Sequence, residues 1–375
     1  MLNNLFTVGA LFAVIANATL IQNQPRNGVV TLDLGLSGAP DLEKRQIGET
    51  DAVTTVSYFK TIVEVGSNRD QVLLFIDTGS WLTQIPDVST NCTKCLLPNG
   101  KLGLYNSNKS TTAVRTGKSA RSTFNANAYY YGEGVLDDIW FGSNFKIPNV
   151  LFNDVSDIGS TWPFGILGLA PPPKGSENEN VAWAAYKAGL TSKPITSISA
   201  TNSSAVNLQL FLGGYSESHL DGDFDWHPIQ GTQVNAYVNS FNINGTDIAV
   251  NKSSIFDYGN PNIFVSQEVY DVIINSLPFD PNNKRGSRKF DASLLKDKTF
   301  TLTIFGKKYT IPALAFIVPG CTGQHCSSVI WPESYTAIGS PILRFLNLAV
   351  SVEVGNELIG LASWKSSNTN NVVSF

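Results

Sequence analysis

The sequence predicts an all-β chain with few short helices, folded as two related lobes that face each other across a cleft. Three observations carry that prediction. First, only 15% of the 375 residues are charged while 11% are aromatic, and Thr, Ser, Val, Ile and Phe are plentiful, a composition suited to pleated, half-buried surfaces. Second, the apolar residues fall into short runs separated by turns drawn from 31 Gly and 18 Pro. Third, one short pattern recurs at long range, and the chain is too long for a single small core.

The N-terminus reads as a processing signal. Leu5 to Ala18 is an apolar run ending in Ala16-Asn17-Ala18, a pattern that signal peptidase accepts, although no Lys or Arg precedes Arg26. About 14 apolar residues are too few to span a hydrocarbon core of roughly 30 Å. Lys44-Arg45 then forms a dibasic pair before the run Val53–Val65, the first segment that reads as a strand. A solvated surface pair is the bland reading; a cut site fits its position better. The expected organisation is a signal peptide at 1–18, a propeptide at 19–45, an N-terminal lobe at 46–205 and a C-terminal lobe at 206–375. The mature chain is expected to be a secreted, extracellular monomer with no membrane partner, because the tail SSNTNNVVSF is too polar for a lipid-anchor signal. A net charge of −4 excludes nucleic acid, which needs a basic face.

Further along, Val53–Val65 alternates in part and leads through Gly66-Ser67-Asn68 into Val72–Ile76. Strand-like runs follow at Tyr129–Tyr131, Ile139–Phe141, Val206–Leu212, Thr299–Ile304 and Leu346–Val352. The best helical patterns are Val181–Gly189 and Ser266–Leu277, the second with Ser266 as N-cap and Glu268 in the first turn. Sequons at Asn91, Asn108, Asn202, Asn244 and Asn251 point to a glycoprotein. Cys92 with Cys95 and Cys321 with Cys326 read as two local disulfides of an oxidising compartment. A redox or zinc motif is the weaker alternative, since the histidines are scattered.

The recurring pattern is an apolar pair leading into Asp-x-Gly: Phe75-Ile76-Asp77-Thr78-Gly79 and Ile255-Phe256-Asp257-Tyr258-Gly259. Each is followed, at comparable distance, by a second element ending in Gly, Ile166-Leu167-Gly168 and Ala337-Ile338-Gly339. Two copies of one architecture bring two carboxylates together. Like charges at hydrogen-bond distance cannot both ionise cheaply, so the pair shares a proton and titrates as a unit. The ionised member can take a proton from water while the protonated one polarises a carbonyl. No metal and no cofactor is needed.

These motifs resemble those of the pepsin-like aspartic proteases. The resemblance extends through Phe75–Ser80 with Ile85-Pro86-Asp87, Phe164–Ala170, Leu212–Tyr215 with Gly222–Pro228, Ile338–Arg344 and Ile359–Ala362. The Lys-Arg-Gln junction and the Val63–Asn68 stretch look most like secreted yeast enzymes of the candidapepsin type. The resemblance implies a bilobal fold, catalytic Asp77 and Asp257, a protein or peptide substrate, and endopeptidase activity at acidic pH. It also implies a substrate-binding flap hairpin at Tyr131-Gly132-Glu133-Gly134, substrate contacts at Gly79 and Gly259, and supporting side chains at Thr78, Ser80, Tyr258 and Asn260.

The second motif departs from the family. Tyr258 stands where a small hydroxyl is usual, a phenol too large for that space, so its ring is expected to point elsewhere or displace the loop. Asn260 replaces Ser or Thr, though its amide could still donate to Asp257, and Pro261 removes a backbone N–H. Gln84 replaces a Trp, with Trp81 nearby; Ser340 replaces an Asp; and the hairpin between Gly134 and Asp138 looks short. The alternative function is therefore a catalytically impaired relative that binds peptides or a partner in the same cleft.

Overall fold

The computed structural model describes residues 29–37 and 58–375, apart from 94, 125–127, 143, 160–163, 177–178, 202–204, 206, 278–288 and 368. The signal segment, the Lys44-Arg45 pair and Asn202 lie outside the described residues. The architecture is strand-dominated, as the composition predicts. In the first part of the chain the strands are β1 (Val30–Ser37), β2 (Tyr58–Val65), β3 (Asp70–Asp77), β4 (Gln84–Pro86), β5 (Val114–Thr123), β6 (Tyr129–Phe141), β7 (Phe145–Gly159) and β8 (Gly165–Gly168). The helices Val181–Lys187 and Gln267–Ser276 occupy the two segments that read as helical, and Ser266 caps the second by accepting from the Val269 N–H.

The duplication in the sequence becomes a duplication of strand pairing. β3 runs parallel to β8, with Asp77 opposite Gly168. The strand Thr246–Asp257 runs parallel to Ala337–Gly339, with Asp257 opposite Gly339. Around each pair the next strand repeats too. β4 is antiparallel to β8 and parallel to β7, while Ile263–Val265 is antiparallel to Ala337–Gly339 and parallel to Ile330–Pro332. Both aspartates thus follow buried apolar residues at a strand end: Val72, Leu74 and Ile76 before Asp77, and Phe256 before Asp257, are fully buried.

A shared sheet joins the two halves. Ile195–Ala200 and Asn207–Leu212 pair with each other, and from them the sheet extends one way through Leu346–Ser351 to Leu358–Trp364, the other way through β1 to β2. The expected lobe boundary at residue 205 falls in the connection between two strands of this sheet. β1 is a correction to the sequence reading, which places the first strand after the dibasic pair. Val30, Leu32 and Leu34 are buried in the main core, and the strand pairs on both edges, so residues 30–37 of the expected propeptide are part of the fold.

A second correction concerns the hairpin. Tyr129–Tyr131 and Ile139–Phe141 are not separate strands but the two ends of β6, which runs straight through Tyr131-Gly132-Glu133-Gly134. The chain reverses instead between Thr123 and Tyr129, where the Phe124 N–H donates to the Ala128 carbonyl at 2.8 Å. The register between β6 and β7 shifts between Tyr131 and Gly132. There a Cβ on Gly132 would collide with the Asp154 carbonyl, and one on Gly134 would stand 2.8 Å from Thr116 Oγ1. Close strand packing, not a turn, requires these two glycines.

Candidate active site

The two Asp-x-Gly turns meet. A Cβ on Gly79 would stand 2.7 Å from the Asp257 carboxyl carbon, and one on Gly259 would stand 2.5 Å from Asp77 Oδ1. Each Gly is therefore the point at which one turn accommodates the carboxylate of the other. The Gly79 N–H donates to Asp77 Oδ1 and the Gly259 N–H to Asp257 Oδ1, both at 2.7 Å. The two carboxyls are thereby brought close enough to act on each other's titration.

Enclosure raises both titrations. The protein around Asp77 strips its carboxyl of water and pushes it above the ordinary range, against the opposing pull of the Ser80 hydroxyl. Asp257 is pushed up further, by the same loss of water and by the charge of Asp77 beside it. The asymmetry has a visible cause: Ser80 Oγ donates to Asp77 Oδ2 at 2.5 Å, whereas the residue in the matching place, Asn260, turns its Oδ1 back to accept from the Asn262 N–H at 3.0 Å. The expected donation from the Asn260 amide to Asp257 is not among the bonds formed. A hydrogen bond to an ionised oxygen favours ionisation, so Asp77 is the member that carries the charge and Asp257 the one that keeps the proton.

Thr78 ties the turns across the lobes. Its fully buried hydroxyl donates to the Phe256 carbonyl at 2.8 Å and accepts from the Tyr258 N–H at 2.9 Å. Tyr258 does not reciprocate with its side chain. Its ring, 1% exposed, points away from the carboxyls, and its hydroxyl donates to the Leu343 carbonyl at 2.9 Å. Of the two outcomes open to a phenol here, the ring takes the one that leaves the carboxyls in contact.

The family model described as eukaryotic aspartyl protease matches residues 57–364. This chain is an aspartyl protease family member. Among its curated relatives, Secreted aspartic protease 1 of Candida albicans is 23% identical over 97% of this chain and 98% of its own length. Candidapepsin-1 of Candida albicans strain WO-1 is 24% identical over the same shares, and Candidapepsin-3 of that strain is 23% identical over 100% of this chain and 99% of its own.

In this aspartyl protease the hairpin β5–β6 is held by groups that sequence reading did not connect. The fully buried Gln84 donates through Nε2 to Ser122 Oγ at 2.7 Å, and Asn153 Nδ2 donates to Gln84 Oε1 at 2.7 Å. An amide thus joins β4 to β5 and β7. Trp81 Nε1 donates to Glu179 Oε2 at 3.0 Å. Tyr131, expected on the flap hairpin, lies within β6 opposite Arg121 of β5, its ring stacked on Tyr129 with centroids 4.3 Å apart and the Arg121 guanidinium over it. Cys92–Cys95 and Cys321–Cys326 are bonded as disulfides. The sequons at Asn91, Asn108, Asn244 and Asn251 are exposed. Among the described residues no cluster of His, Cys, Asp and Glu is gathered to hold a metal, and no helix is long and apolar enough to cross a membrane.

Proposed function

We propose that this aspartic protease is a secreted, acid-working endopeptidase whose water is activated between Asp77 and Asp257. The observation that carries the reading is the contact of two enclosed carboxyls, each at the end of a parallel strand pair. Asp77, charged and steadied by Ser80 and Gly79, takes the proton from a water as it attacks the peptide carbonyl. Asp257, protonated, donates to the carbonyl oxygen and stabilises the charge that develops there. On collapse Asp77 passes the water's proton to the leaving amine and Asp257 takes its own back from the hydroxyl of the tetrahedral intermediate, so the pair ends as it began; because water is the nucleophile, no bond forms between enzyme and substrate. The substrate is an extended stretch of protein or peptide lying in the cleft between the lobes.

The dependence on pH follows from the shared proton. Activity needs one proton on the pair: it is lost at low pH when both carboxyls are protonated and at higher pH when both ionise. The rise in the Asp257 titration moves the upper limb upward. Against the alternative of a silent binder stands the direction of the Tyr258 ring, away from the pair. The test uses purified protein on denatured globin between about pH 3 and 5, with and without a statine-type transition-state analogue; Asp77→Asn is expected to lower the rate by at least ~10²-fold. Wild-type protein that leaves globin intact throughout, or cleaves it equally well as Asp77→Asn, ends the proposal.

A further inference from the structure

The Asp257 turn is held in a way its sequence departures do not announce. The short helix Ser340–Leu343 follows directly on the strand whose Gly339 lies opposite Asp257. At its first residue, the Ser340 N–H donates to the Asn260 carbonyl at 2.9 Å. At its last, the Leu343 carbonyl, one of the groups a helix end leaves without an intrahelical partner, accepts from the Tyr258 hydroxyl at 2.9 Å. The helix therefore grips the turn from both ends, on either side of Gly259. The Tyr258 ring also stands edge-on to Phe59 of β2, with centroids 6.2 Å apart, which gives it a contact in the opposite half.

We infer that Tyr258 is a positioning residue for the carboxyl pair, pinning the Asp257 turn to the helix Ser340–Leu343 and to Phe59 in place of the second cross-turn hydroxyl. The inference rests on the peptidase reading for its effect on turnover, but not for its effect on the pair itself. Two features make the pin matter. Asp257 lacks the hydroxyl support that Ser80 gives Asp77, so its placement depends on the turn. And the phenol, far from water, holds its proton throughout the acid range and remains a donor there. The charge that acts on Asp257 is that of Asp77. Arg344, next to Leu343, directs its buried guanidinium to the Pro341 and Leu314 carbonyls.

The decisive variant is Tyr258→Phe, which keeps the ring and removes only the hydroxyl. Tyr309→Phe is the control, since it also removes a buried hydroxyl from a backbone carbonyl, that of Leu361. Two measurements are made: titration of ¹³C-labelled aspartate carboxyls by NMR, and kcat and KM on a peptide substrate. In Tyr258→Phe the two apparent pKa values of the pair are expected to draw together and kcat to fall about 10- to 100-fold with KM little changed, the effect of a small misplacement of a reacting group. Tyr309→Phe should leave the pair's titration as in wild type. A wild-type titration and kcat in Tyr258→Phe would overturn the inference. A shifted titration in a protein without turnover keeps it and rejects the peptidase reading instead. Should Tyr258→Phe fail to fold, Phe59→Leu loosens the same ring without touching the hydroxyl. It is expected to shift the pair in the same direction by less, and an unchanged pair there would equally overturn it.

Discussion

The Asp77 turn and the Asp257 turn are built on one plan and finished differently. Both end a strand on buried apolar residues, both face a Gly across a parallel pairing, and both carboxylates accept from the N–H of their own Gly. The first turn is then supported from within by Ser80, while its Thr78 hydroxyl reaches across to the Phe256 carbonyl and the Tyr258 N–H of the second turn. The second is supported from outside, by a hydroxyl reaching 85 residues along the chain to Leu343. Shared backbone pairing fixes where the carboxyls are; the side chains around them decide which one keeps the proton. Duplicated architecture therefore does not require duplicated chemistry at the two sites.

The largest effect on this comparison should come from Thr78→Val. It keeps the shape of the residue but leaves the Phe256 carbonyl and the Tyr258 N–H buried without their partner, at a cost of about 1–3 kcal/mol for each. Since that hydroxyl ties the two turns together directly, the variant should lose both stability and activity, read as a fall in Tm and in kcat. If Thr78→Val melts and turns over like wild type, the tie is not what holds the turns together.

A smaller effect is expected from Ser80→Ala, which makes the first turn resemble the second. Without the Oγ bond, Asp77 loses the interaction that favours its charged form. Its contribution to the pair moves upward, so the acid limb of the kcat profile should shift to higher pH. Hydrogen bonds to charged groups contribute roughly 1.5–3 kcal/mol, equivalent to a shift of about one to two pH units. Asn260→Ser makes the converse change and should draw Asp257 down. An acid limb that stays in place in Ser80→Ala would remove the stated cause of the asymmetry.

How much of this was legible in the sequence divides along the same line. Asp-x-Gly and the apolar-Gly partners are local patterns at comparable spacing, and their pairing follows once two copies are recognised. Whether a Tyr-Gly-x-Gly segment turns or runs on is not local: Gly132 lies beside the irregularity at Ser156 of the neighbouring β7 and close against the Asp154 carbonyl, and a glycine required by a neighbouring strand reads like one required by a turn. The target of Tyr258 could not be read at all, because Leu343 offers only a carbonyl. β1 could have been read: Val30, Leu32, Leu34 and Leu36 alternate with Thr31, Asp33, Gly35 and Ser37. The assignment of 19–45 to a processed segment passed over that alternation.

The smallest expected effect lies outside both turns, and it decides whether their pH dependence can be read cleanly. Asp154, on β7, is 4% exposed and carries a carboxyl oxygen without a hydrogen-bond partner. Burial first, and then the nearby charges of Asp87 and Glu133, raise its titration to about 7, against the pull of Ser107 and of Arg115. A carboxyl whose folded titration lies above its unfolded one, ordinarily 3.8, stabilises the fold most when protonated. That contribution is complete below the unfolded value and is lost as pH rises through the folded one. Melting temperature should therefore decline from about pH 4 to about pH 7 for this reason alone. Asp154→Asn, which fixes a neutral group there, should flatten the decline without altering the acid limb of kcat. If the variant loses stability with pH as steeply as wild type, the loss belongs to Asp77 and Asp257, whose titrations are raised in the same direction. In that case the fall in activity toward neutral pH would reflect unfolding as well as ionisation of the pair.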